Sequence, residues 1–284
     1  MKSKILVLCC SVIFFSTAQA EDFKRDTLRV CADPFNLPYS NKDGEGFENK
    51  IAELFAEQLQ VPLEYEWFPQ RMGFIRNTLK AESKYGGQYK CDLVVGVPDR
   101  FELAATTRPY YASTYAFVFA EGKGLDSVNK GSDIKNVPDE VKQSIRVGAF
   151  DRGPGQIWLF NNGLFSRMKP YMAQSGDVKV NPINILDDIV ADVIDATVIW
   201  GPIAGFYAKS NENAKLRVVP LPSGKDNPEM KFDYNISMAV RYGDNEWKKT
   251  VNNLIEKNQD KINAILTDYG IPLVPMTASA EDDD

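Results

Sequence analysis

The 284-residue chain contains no histidine. That absence removes the Ser-His-Asp triad, every histidine-based zinc site, histidine-ligated haem and the commonest general base together. An enzyme would have to work through a carboxylate pair, a Ser-Lys arrangement or a reactive cysteine. No spacing in the chain singles one out, so the expectation is a non-enzymatic protein with no metal site and no cofactor of its own. Cysteine is scarce too: there are four, and Cys9 and Cys10 lie in the first 20 residues. Beyond those residues no apolar run approaches the roughly 20 residues that a membrane helix needs. Positive charge is also in deficit, with 33 Lys+Arg against 39 Asp+Glu. An acidic surface repels phosphate backbones, which argues against nucleic acid and favours a basic protein partner.

What is present begins with a leader. Lys2 and Lys4 precede a mostly apolar run from Ile5 to Phe15, and Ala18-Gln19-Ala20 is an A-x-A cleavage site before Glu21. Residues 1–20 are therefore expected to be a signal peptide removed on export. Cys9 and Cys10 sit inside the apolar run and not after it, so a lipid-anchoring site is not expected. Loss of Lys2 and Lys4 takes the formal net charge from -6 to -8. The remainder is about 264 residues, enough for one large domain or two lobes, with the 44% apolar and 25% charged content of globular chains. In an oxidising compartment the surviving pair Cys31 and Cys91 suggests a disulfide. The alternative is two buried free thiols, if neighbouring strands hold their Cα atoms beyond about 7 Å.

Periodicity gives an α/β order. Leu28 to Cys31 begins a strand; Ile51, Leu54, Phe55 and Leu59 mark a helix stopped at Val61-Pro62; Leu63 to Phe68 alternates as a strand. Arg71 to Ala81 is predicted helical, and Asp92 to Val97 reads as a buried, parallel strand. Tyr110 to Ala120 is predicted to leave this unit as a strand, and the Gly-, Ser- and Asp-rich stretch after it opens a second unit. There, Ile145 to Phe150 and Ala196 to Trp200 are predicted strands, Gln156 to Phe160 begins a helix, and Ile185 to Ile194 is a helix capped by Asn184. Tyr234 to Val240 is a further strand, followed by two predicted helices, one around Trp247 to Ile255 and one around Ile262 to Tyr269.

Four stretches are more specific: LRVCADPFNLPYSNKDGEGFENKIAELF, EYEWFPQRMGFIRNTLKA followed by CDLVVGVP, DATVIWGPIAGFYA, and FDYNISMAVRYGD with the closing LTDYGIPL. Together they resemble the methanol-oxidation accessory proteins of the MoxJ type and their XoxJ relatives, quinoprotein-dehydrogenase-associated members of the type II periplasmic binding protein family. The resemblance implies an α/β fold of two lobes joined by two crossing strands around a cleft. It implies lobe 1 from residues 21–113 and 236–284, with the C-terminal helices returning to it, and lobe 2 from 114–235. It also implies a periplasmic monomer that helps a pyrroloquinoline quinone (PQQ)-dependent methanol dehydrogenase assemble or activate, with PQQ itself a possible contact. A second reading is a carrier that delivers a small anionic ligand, PQQ among the options, to a transporter or to the apo-enzyme.

The site residues carried over by this resemblance depart from those of amino-acid binders. Such relatives follow the third strand with Gly-x-Thr and then an Arg that clamps the ligand carboxylate. Here Gly96 is followed by Val97 and Pro98, and Arg100 stands in for the Arg after a shortened loop. Trp200 occupies the place of the Asp that holds the ligand ammonium; its indole can only stack on a flat ring or hold a cation more weakly. Asp33 ends the first strand as a cleft-lining acceptor or, alternatively, as a turn residue bonding its own backbone. Tyr39, Trp67, Tyr110 and Tyr111 line the same cleft or belong to the core. Arg71, like Arg76, is an anion contact or a surface charge. Arg152 opens the turn Arg152-Gly153-Pro154-Gly155, which is either an anion site at a helix start or a plain tight turn. An anionic ligand such as PQQ would take Trp200 as a stacking surface, with Arg71, Arg100 or Arg152 as counter-charges.

Overall fold

A computed structural model describes residues 25–84, 88–172, 181–224 and 230–277; the expected signal peptide, residues 1–20, and the acidic end of the chain lie outside the described residues. The first strand, β1 (Leu28–Ala32), leads into a short hairpin of β2 (Phe35–Asn36) and β3 (Ser40–Asn41), then helix α1 (Phe47–Leu59) and strand β4 (Leu63–Trp67). β4 returns parallel to β1, as the right-handed β-α-β connection requires. On α1, Phe47, Ile51, Leu54 and Phe55 recur at helical spacing and are buried as one stripe. Gly46 caps the helix because a Cβ there would sit 2.0 Å from the Tyr39 carbonyl oxygen.

The helix expected over Arg71 to Ala81 is only α2 (Phe74–Asn77). Gly73, at φ +89°, cannot propagate helix from its N-terminal side, and Thr78 leaves helical geometry at ψ -87°. Next comes β5 (Val94–Pro98). It joins β1 in parallel through the Val30–Leu93 bridge, but its other edge is antiparallel, which corrects the purely parallel expectation.

Strand β6 (Ala105–Ala120), 16 residues long, connects the two halves of the molecule. The second half opens with a 3-10 turn and α3 (Asp139–Ser144), followed by β7 (Val147–Phe150), α4 (Pro154–Asn161), β8 (Met168–Tyr171) and α5 (Asn184–Val190). It continues with β9 (Ala196–Trp200), α6 (Gly201–Ser210), β10 (Leu216–Pro220) and the returning strand β11 (Asp233–Val240). β6 pairs with β11 from Ala105 to Thr114, then with β9 and β10 from Tyr115 onward. β7 lies parallel to both β8 and β9. Asn184 does not cap α5: it is the first helical residue, Ile183 holds the cap position, and the Asn181 side chain accepts the Ile183 N–H.

The two helices predicted at the end are one, α7 (Asn245–Asp268). The polar stretch around Asn258 does not interrupt it, because the buried Asn258 amide donates to the Leu254 carbonyl within the same helix. α7 packs its Trp247, Val251, Ile255, Ile262 and Leu266 stripe into the core built by β1, α1 and the first half of β6. The other large cores, around Phe117 and Trp158 and around Ile185 and Tyr207, draw on residues between Ala116 and Phe232. Two α/β lobes are thus joined by β6 and β11 with a cleft between them, the arrangement that the resemblance to type II periplasmic binding proteins implies.

Cys31 on β1 and Cys91, three residues before β5, form a disulfide with a Cα–Cα distance of 5.4 Å that lies within bonding range. Beside it the fully buried Asp92 pairs with Arg25, Arg29 and Arg241 at 2.7–2.9 Å. After α7 the chain runs back along the crossing strands. Ser113 Oγ donates to the Pro272 carbonyl at 2.6 Å, and the Asn235 side chain both donates to and accepts from the Thr277 backbone.

Candidate functional site

A cavity of about 490 Å³ lies between the lobes. Its first-lobe wall comes from the loops after β1 and β4, the start of α1 and the end of β5: Asp33, Tyr39, Glu48, Arg71 and Gly96 to Pro98. Tyr115 on β6, Asn181, Pro182, Trp200 and Ile203 form the opposite wall, and Tyr111 and Tyr234 stand on the crossing strands.

Both readings of Asp33 hold in part. It lines the cavity, while its two oxygens accept the backbone N–H groups of Phe35 at 2.8 Å and Gln70 at 2.6 Å. The carboxylate thus organises the loops that form the cleft mouth. Tyr39 and Trp200 meet across the cleft, where the indole N–H hydrogen-bonds to the phenol; burial holds the Tyr39 hydroxyl far above its usual pKa. Trp200 also makes edge contacts with Tyr115, at a centroid distance of 5.3 Å, and Tyr234, at 5.8 Å. Its position follows from sequence: it ends the buried strand β9, and Gly201-Pro202 then starts α6 at once.

The three arginines do not assemble around this cavity. Arg71 lines it, half-buried. Arg100 is exposed, with φ +57° in the turn after β5, and is not part of the lining. Arg152 is exposed at φ +60°, and its backbone N–H donates to the Gln156 side chain. Gly155 in that turn serves packing, since a Cβ would meet the Val198 carbonyl at 2.6 Å. Of the other aromatic candidates, Tyr111 reaches the cavity, whereas Tyr110 is wholly buried and Trp67 stacks on Tyr65. Among the described residues no group of acidic or sulfur side chains has the arrangement of a metal site.

Sequence reasoning missed Glu48. It is the second residue of α1 and lines the cavity floor with its carboxyl against the Cα of Gly96. Burial, reinforced by the charge of Asp33, pushes its pKa up to about 8 from an ordinary 4.5. The signal was in the helical phase: Ile51, Ala52 and Phe55, three, four and seven residues on, are all buried, so Glu48 is an acid on the apolar stripe.

No protein-family model matches the chain. It is 31% identical to the periplasmic binding protein XoxJ from Methylobacterium extorquens AM1, whose crystal structure it covers completely with 88% of its own length, at a TM-score of 0.67. The crystal structure of MxaJ from Methlophaga aminisulfidivorans MPT is likewise covered in full, by 87% of this chain, with 29% identity and a TM-score of 0.69. Protein MoxJ of Methylorubrum extorquens is 28% identical over 272 residues, 91% of this chain and 86% of that protein.

Proposed function

Because the chain belongs to the family of periplasmic binding proteins that includes XoxJ and MxaJ, we propose that it is a non-enzymatic periplasmic accessory protein of methanol oxidation, one that contacts a PQQ-dependent methanol dehydrogenase and assists its assembly or activation. The observation that carries this reading is the full-length similarity to XoxJ. The cleft supports it. Trp200 is committed to Tyr39, Tyr115 and Tyr234, and of the three candidate arginines only Arg71 lines the cavity. An anionic cargo, PQQ included, would meet the charge of Asp33 beside Arg71, next to a Glu48 carboxyl that stays uncharged near neutral pH, so carriage of such a molecule is the less favoured reading. The acidic surface, formally -8 without the leader, suits a basic protein surface. Deleting the gene tests the proposal. Periplasmic extracts of the deletion strain are expected to contain dehydrogenase protein with reduced PQQ-dependent activity, restored by the gene in trans; undiminished activity per enzyme would overturn it.

A further inference from the structure

We propose that the two lobes are fastened to each other beside the crossing strands, so that the protein keeps one inter-lobe geometry and does not open and close about a hinge. The fastening is a seam between α6 of the second lobe and the end of α7 with the segment after it, Tyr269 to Val274. Lobes joined only by two strands move relative to one another by default. A seam packed backbone against backbone removes that freedom.

At the centre of the seam two chains touch through a reciprocal pair of glycines. A Cβ on Gly205 would sit 1.9 Å from the Gly270 carbonyl oxygen, and one on Gly270 would sit 2.7 Å from the Gly205 carbonyl oxygen. One turn earlier on α6, a Cβ on Gly201 would lie 2.6 Å from the Pro272 ring and 2.3 Å from the Thr114 carbonyl oxygen. Contacts this close leave no layer of side chains whose rotamers could adjust to a changed lobe angle.

Around the glycines runs a row of rings that passes from one lobe into the other. Phe206 of α6 stacks on Tyr269, with centroids 6.0 Å apart and planes at 17°; Tyr269 meets Phe47 of α1 edge-on at 6.1 Å, and Phe47 meets Tyr39 at 5.4 Å. The row closes on Trp200, whose indole N–H bonds to the Tyr39 phenol, and Tyr39 and Trp200 each pack against the cores of both lobes. Polar contacts follow the same line: the Tyr269 hydroxyl donates to the Glu45 carbonyl, and Lys209 Nζ donates to the Thr267 carbonyl at 3.3 Å.

The segment after α7 is itself tied to the crossing strands. Leu273 bridges Ser113 in antiparallel fashion, the Val274 N–H donates to the Ala112 carbonyl at 3.1 Å, Ser113 Oγ donates to the Pro272 carbonyl, and Asn235 exchanges two hydrogen bonds with Thr277. It is a third tie between the lobes beside β6 and β11. Swinging α6 outward would part the Phe206–Tyr269 stack and the paired glycines, and the segment, held to β6, could not follow. A partner therefore meets a preformed surface, which goes beyond the proposed accessory role without depending on it.

Spin labels on Met72→Cys, on the first-lobe rim beside Arg71, and Asp151→Cys, in the turn after β7, test this by double electron–electron resonance on the leaderless protein; both sites are exposed and the native cysteines are bonded to each other. The expected result is a single distance population in the native background. Adding Gly205→Ala or Phe206→Ala should produce a longer or broader population, shifted by more than about 2 Å. Phe206→Ala removes a half-buried ring without introducing a clash, so it carries the test if Gly205→Ala fails to fold, and near-ultraviolet circular dichroism shows which variants are folded. Two or more populations in the native background, or a single one that no folded seam variant alters, would overturn the proposal. The dehydrogenase takes no part in the experiment, so its outcome is independent of the proposed accessory role.

Discussion

The carboxyl of Glu48 lies directly against the Cα of Gly96: a Cβ on residue 96 would sit 2.0 Å from Glu48 Oε1. The atom in the way is the end of a flexible side chain, so Gly96→Ala should displace the carboxyl and leave strand β5 in place. We expect a stability change within about 1 kcal/mol, and a Glu48 carboxyl whose titration, followed by carbon NMR, moves back toward the ordinary range.

The raised pKa of Glu48 gives stability a definite pH slope. Between the ordinary 4.5 and about 8 the folded protein holds a proton that the unfolded chain has lost, so this group's contribution is full below pH 4.5 and declines as pH rises through 8. Glu48→Gln abolishes that slope. Denaturant melts should find the variant the more stable at pH 8, by up to a few kcal/mol, with the advantage down to roughly 1 kcal/mol at pH 5 and all but gone at pH 4.

Gly205 on α6 faces the backbone of the chain after α7, where a Cβ would meet the Gly270 carbonyl oxygen at 1.9 Å. The neighbouring Phe206 stacks on Tyr269, whose hydroxyl donates to the Glu45 carbonyl in the first lobe. Gly205→Ala must therefore push α6 away from the first lobe. A loss of about 1–3 kcal/mol is expected, with a larger radius of gyration by X-ray scattering.

The Cys31–Cys91 bond spans 60 residues and joins β1 to the approach to β5. Replacing both cysteines by alanine should cost about 2–5 kcal/mol in guanidinium titrations, with the wild type falling to similar stability under a reductant.

Much of the framework was legible from patterning. β9 was read with its observed bounds, Ala196 to Trp200, because a buried strand flanked by Asp195 and Gly201-Pro202 is sharply punctuated. The failures have local causes. The apolar pattern of α7 reads as two helices, around Trp247 to Ile255 and Ile262 to Tyr269, because the stretch between them is polar, and only the structure shows Asn258 buried and bonded within one continuous helix. β10 went unread because its pairing with β6 is set by tertiary packing and its face is only partly buried. In the cleft, Asp33, Tyr39, Arg71 and Trp200 were named from sequence and do line one cavity, whereas Arg100 and Arg152 do not. Those two sit in left-handed turns whose direction the chain order does not reveal. Glu48 was missed because acids at the start of a helix usually serve the helix dipole at the surface, and only its phase on the buried stripe distinguishes it.

The accessory role requires direct contact with the dehydrogenase. Sedimentation velocity of the leaderless protein mixed with the PQQ-free methanol dehydrogenase of the same organism measures that directly. It predicts a complex at low ionic strength with a Kd near or below about 10 µM that weakens as salt is raised. Two independently sedimenting species at low salt, at concentrations well above that value, would contradict it.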